Sequence, residues 1–126
     1  MNDQRRWNYF QDVEVKNLDT EFVANLDRAR HKAGVPFIIT SGYRTPEENF
    51  AVGGVDGSAH TKGLAVDLFC RDNVMMWHIL DGLYSVGIKR IGIYFRIVDG
   101  KTVTTHIHAD VDQDKPQEVV FLKVKS

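Results

Sequence analysis

The chain's 126 residues suffice for one domain with a real core and are too few for two. Its 43% hydrophobic and 26% charged residues suit an ordinary folded protein, and its formal net charge of −1 offers no basic surface for nucleic acid or an anionic membrane. Cys70 has no second cysteine to pair with, residues 1–6 lead into no apolar signal-peptide run, and no stretch nears the roughly 18 apolar residues of a membrane span, so a cytoplasmic chain without membrane insertion is expected.

Residues 1–17 hold Trp7, Tyr9 and Phe10 without periodicity and read as an N-terminal arm, laying aromatics on the core of a single domain spanning 1–126. From Asp19 the pattern turns helical. Leu18, Phe22, Leu26, Ala29 and Ala33 recur at three- and four-residue steps, with Asp19 as N-cap and Gly34 as the stop. Val35-Pro36-Phe37-Ile38-Ile39-Thr40 reads as a buried strand that Ser41-Gly42-Tyr43-Arg44 ends in a loop. Thr45-Pro46-Glu47-Glu48 is a capping box opening a short helix that stops at Gly53-Gly54. Residues 53–63, glycine-rich and polar, place His60 in a loop, and Leu64 to Cys70 forms a second strand.

Asp72 then caps a helix whose stripe is Met76, Ile79, Leu80, Leu83 and Val86, ended by Gly87. His31 and His78, each alone on a helix, read as surface or structural residues. Lys89 to Val98, the turn Asp99-Gly100 and Lys101 to Asp112 form a β-hairpin, since Asp-Gly between alternating runs is a strong hairpin signal. Glu118 to Lys125 is the last strand. Strands and helices in this order predict an α+β domain, a mainly antiparallel sheet with helices packed on one side.

Chemistry concentrates in two places. His60 is followed seven positions later by Asp67, the one charge in an apolar strand, where an acid is costly to bury unless paired or bound to metal. On the hairpin's return strand, alternation puts Val103, Thr105, Ile107, Ala109 and Val111 on the core face. Thr104, His106, His108, Asp110 and Asp112 take the other face. Charges alone there would be an ordinary solvated face. Two histidines at i and i+2, with a separate His…Asp pair upstream, point instead to a metal site of the kind a catalytic zinc uses, with three mixed nitrogen and oxygen ligands and a fourth position for water.

Ser41-Gly42-Tyr43-Arg44-Thr45-Pro46, followed by Ser58-x-His60-x-x-Gly63-x-Ala65-x-Asp67, resembles the M15 family of zinc D-alanyl-D-alanine peptidases. That family includes carboxypeptidases that trim peptidoglycan stems and phage endolysins that cut between L-alanine and D-glutamate. His106-x-His108 resembles the closing motif of the wider group that also holds lysostaphin-type endopeptidases and the hedgehog signalling domain. The likeness runs from about Phe37 to Asp112 and implies a hedgehog/DD-peptidase-like fold with zinc in a groove across the sheet.

By that resemblance one Zn2+ per chain would sit on His60, Asp67 and His108, and His106 would be the catalytic residue in general acid/base work. Arg44 would hold a substrate carboxylate, with Ser58 beside it. Several relatives carry an acid three residues before the last zinc histidine. Here that residue is Thr105, which cannot act as a base. Asp110 would either orient a ligand histidine or stand as a spare carboxylate near the water.

The implied function is a monomeric zinc metallopeptidase hydrolysing amide bonds in peptidoglycan stem peptides, as D,D-carboxypeptidase or L-Ala-D-Glu endopeptidase. Lack of a signal peptide and of a wall-binding domain suits a small phage lysis enzyme that reaches the cell wall after release by a holin. The alternatives are a hedgehog-like zinc-containing binding module without peptidase activity and a metal-free structural domain of a phage particle.

Overall fold

The computed structural model describes residues 6–125. Asp19 caps the first helix, α1 (Thr20–Ala33), its carboxylate accepting the Phe22 N–H, and Gly34 ends it in the left-handed conformation. Phe22, Leu26, Ala29 and Ala33 of the stripe are buried together with Leu18. Upstream, the Asp27 carboxylate accepts the backbone N–H groups of Asn8 and Tyr9, which holds the start of the chain against α1 and leaves Phe10 in the core.

The strand expected over Val35–Thr40 is shorter and later, β1 (Ile39–Ser41). Pro36 has no N–H for a sheet ladder, and pairing with the next strand begins only where Phe69 donates to Ile38 O. Thr45 then opens α2 (Pro46–Ala51) with both bonds of the capping box in place. His60 lies not in an irregular loop but in a 3-10 turn, Ala59–Lys62, capped by Ser58. β2 (Ala65–Phe69) follows, then α3 (Asn73–Ser85), capped by Asp72. Its buried stripe includes Met75 with Ile79 and Leu83, while Met76, Leu80 and Val86 are only partly covered.

The hairpin is β3 (Arg90–Val98) and β4 (Lys101–Asp110), the latter ending two residues earlier than expected. β5 (Val119–Val124) closes the sheet. Strand order is β1-β2-β4-β3-β5, antiparallel throughout except that β5 runs parallel to β3. The fold is therefore α+β with a mostly antiparallel sheet. Val66, Leu68, Ile91, Ile93, Ile107 and Ala109 share one core with the apolar stripes of α1 and α3. The two helices meet closely at Gly82, where a Cβ would stand 2.4 Å from Ala29 O. Among the described residues no helix is long and apolar enough to cross a membrane.

One irregularity resets the hairpin. Phe95 pairs with Thr104 and Tyr94 with His106, so Thr105 is an extra, bulged residue on β4. Beyond the bulge the expected alternation holds, with Ile107 and Ala109 in the core. Before it the faces exchange, because paired residues share a face. Val103 is 45% exposed, and Thr104 falls on the face opposite His106. Thr105, expected to face the core, instead donates its hydroxyl to Tyr94 O within the bulge.

Candidate metal centre

Away from the helices, the sheet carries three rows of side chains fixed by strand register. Asp67, His108, Gly92 and Phe121 form one row across β2, β4, β3 and β5. Phe69, His106, Tyr94 and Lys123 form the next, while Ala65, Asp110, Arg90 and Val119 form the third. The 3-10 turn lays His60 over the first row.

His60, Asp67 and His108 are buried and each offers one ligand atom, these atoms all lying within 4.8 Å of one another. Asp67 Oδ1 is 3.3 Å from His60 Nε2 and 3.1 Å from His108 Nδ1. Ligand atoms about 2.0–2.1 Å from a tetrahedral zinc stand roughly 3.3 Å apart, and Asp67 Oδ1 already stands at that spacing from both nitrogens. The outer nitrogens are already spoken for. His60 Nδ1 donates to Gly42 O at 2.8 Å, leaving Nε2 as the inward lone pair. His108 Nε2 donates to Asp110 Oδ2 at 2.7 Å, leaving Nδ1 inward. Two imidazoles oriented by an oxygen acceptor, plus one carboxylate, are a donor set that suits zinc.

The carboxylates and imidazoles shift one another's protonation. Burial pushes the Asp67 carboxyl up, but hydrogen bonds from His108 and His60, when those rings carry a second proton, outweigh it and hold the group well below the usual carboxylate range. Burial disfavours His108's imidazolium, yet the bonds to Asp110 and Asp67 raise its pKa on balance. Without a cation, three buried groups share protons here.

Arg44 reaches the site from the loop after β1. Its backbone N–H donates to His60 O, which ties that loop to the turn. Its side chain donates to Ser41 Oγ at 3.0 Å and Asn49 Oδ1 at 3.2 Å, and stands 3.4 Å from Asp67 Oδ2. Asp67 thus turns Oδ1 towards the histidines and Oδ2 towards Arg44. Ser58 accepts the His60 backbone N–H and is 7% exposed, so much of its role is to shape the turn. Asp110, 1% exposed, bonds His108, Arg90 (3.1 Å) and the Asp112 N–H, an arrangement that orients His108.

Asp112, expected beside the histidines, lies elsewhere. The chain leaves the sheet after Asp110, and Asp112 pairs with Lys62 at 2.9 Å in a separate cleft that also takes Asp114.

His106 stands apart from the triad, its Nε2 3.7 Å from Asp67 Oδ2. Burial lowers its pKa against the opposing field of Asp67, and Lys125 adds to the lowering. Thr105 Oγ1 lies 3.3 Å from His106 Nδ1. Because that hydroxyl already donates to Tyr94 O, it accepts from Nδ1–H, and the His106 Nε2 lone pair faces the centre. Tyr94 stacks on His106, ring centroids 4.3 Å apart. Phe121 covers Gly92, where a Cβ would meet its ring at 2.4 Å. The whole lines a groove of about 540 Å³.

A sequence model of the family described as Peptidase M15 matches residues 4–110. The chain belongs to the Peptidase M15 family. Membership brings a metallopeptidase and a peptide substrate, and the buried His60-Asp67-His108 group could bind the metal that the family typically uses. No curated protein matches the chain. Tyr94, Arg90, Asn49 and Phe121 were absent from the sequence reading of the site. Arg90 and Tyr94 lie on the strand facing the two histidines across the Asp-Gly turn, but the bulge hides which residue Tyr94 pairs with.

Proposed function

We propose that this M15 chain is a zinc peptidase that hydrolyses an amide of a peptidoglycan stem peptide, with one zinc on His60, Asp67 and His108. The observation that carries the metal reading is the convergence of three buried ligand atoms whose outer nitrogens are committed to Gly42 O and Asp110. Bound there, zinc supplies a Lewis acid for the scissile carbonyl and lowers the pKa of a water towards neutrality.

The chain's own residues do the rest. His106 Nε2, its lone pair turned inward by Thr105, accepts the proton of the attacking water and later delivers it to the leaving amine. Tyr94 fixes the plane of that imidazole by stacking. Arg44 has N–H groups beyond those given to Ser41, Asn49 and Asp67, and its planar fork pairs a substrate carboxylate and so selects the amide presented. Carboxypeptidase cleavage at D-Ala-D-Ala and endopeptidase cleavage at L-Ala-D-Glu both fit this arrangement.

The test is digestion of purified muropeptides by the zinc-loaded chain, with products identified by mass spectrometry. One defined amide should be cut, and cutting should cease in His106→Ala while its zinc is retained. A zinc-loaded wild-type chain that cuts nothing would support a binding module instead.

A further inference from the structure

Crossing the groove from β1 to β5, Arg44 stands at one edge, Asp67 and His108 lie on β2 and β4 with His60 laid over them, and Tyr94 follows on β3. The far wall is different. It carries Lys115, Lys123 and Lys125, all lining the same groove. The two acids deepest in the groove are already matched, Asp67 by His60, His108 and Arg44, and Asp110 by His108 and Arg90. Among the described residues none of the three lysines forms an ion pair.

Register fixes where they act. Lys123 shares its row with His106 and Tyr94, and Lys125 follows just past the end of β5, its N–H bonded to Phe95 O. Two strand spacings separate β4 from β5, roughly 10 Å, which an extended peptide covers in about three residues. A lysine side chain reaching inward shortens that span. All three lysines also lie beyond residues 4–110, the part that matches the family.

Resting on the peptidase reading above, we propose that Lys115, Lys123 and Lys125 form a second anion subsite that binds a carboxylate of the peptide substrate, on the side of the scissile amide away from Arg44. The groove then selects peptides acidic on both flanks of the bond presented. A neutral or basic residue on the β5 side faces ammonium groups that no carboxylate pairs directly among the described residues.

Calorimetric binding to the zinc-loaded His106→Ala chain tests this without turnover. The probes are a synthetic stem pentapeptide and its counterparts with one carboxylate at a time converted to carboxamide. At low salt two of the amidations are expected to weaken binding several-fold, one through Arg44 and one through the lysine wall. Adding K115Q, K123Q and K125Q together should bring one of those two acid and amide pairs to equal affinity and leave the other, held by Arg44, unequal, with one zinc still bound. Both acid-to-amide ratios unchanged in the triple variant would overturn the subsite. So would inorganic phosphate binding as tightly as the acid peptide, which would make this a free-anion site. Failure of the wild-type chain to cleave any of the peptides would count against the peptidase reading alone, because the binding comparison stands without it.

Discussion

Thr105 donates its hydroxyl to Tyr94 O and accepts His106 Nδ1–H, which turns the His106 Nε2 lone pair towards the site. Thr105→Val removes that acceptor while keeping the branched shape. It is expected to lower kcat by about 10–100-fold with zinc retained, as the loss of an orienting partner does elsewhere. Thr105→Ser should recover most of the rate, and a fully active Val variant would remove Thr105 from the account. Asp110→Asn tests the other orienting contact. It weakens the acceptor for His108 Nε2–H and unbalances Arg90, so zinc affinity measured by competition with a chelator should fall by about 10–100-fold. At this scale the sequence was readable where chemistry is rare. His60, Asp67, His106 and His108 stood out because buried acids and clustered imidazoles have few other uses. Arg90, Asn49 and Phe121 did not, because their part depends on a neighbour that only the fold supplies.

Between elements, the closest approach is α1 on α3 at Gly82. Gly82→Ala puts a methyl against Ala29 O and the Ala33 Cβ, both rigid, so the helices must part. The expected cost is about 1–3 kcal/mol of stability, read as a lower thermal midpoint with the zinc content unchanged. A second link joins the 3-10 turn to the segment after β4 through Lys62 and Asp112. Burial pushes the Asp112 carboxyl up, but the Lys62 ammonium and the Asp114 N–H outweigh it and hold it below its ordinary value. A carboxyl depressed on folding contributes stability above its unfolded pKa of about 3.9 and loses it as pH falls through the lower folded value. The thermal midpoint of wild type should therefore exceed that of Asp112→Asn by a constant margin from neutral pH down to about 5, and the margin should close towards pH 3. A margin that widened in acid would contradict the pairing. The helices and their caps were plain in the sequence, since Asp19, Thr45 and Asp72 are local signals. The bulge was not, because nothing in Thr104-Thr105-His106 departs from a strand pattern, and the extra residue is settled by how β3 and β4 pair over their whole length.

For the molecule as a whole, the sheet divides labour between its faces. One face packs Val66, Leu68, Ile91, Ile93, Ile107 and Ala109 on the two long helices, and the other presents the three rows that make the groove. That division follows from period-two alternation, which is why the fold class could be read before any coordinates. The placement of β5 beside β3 could not, since a short apolar-polar strand fits either edge. Yet it supplies Phe121 and the lysine wall. All of this converges on the proposed metal site at His60, Asp67 and His108. The most direct test is the zinc content of the purified chain by elemental analysis, wild type beside His60→Ala. One equivalent in the wild type and near none in His60→Ala is the expected result. A His60→Ala chain that keeps one equivalent, or a wild type that takes up none when zinc is supplied, would contradict it.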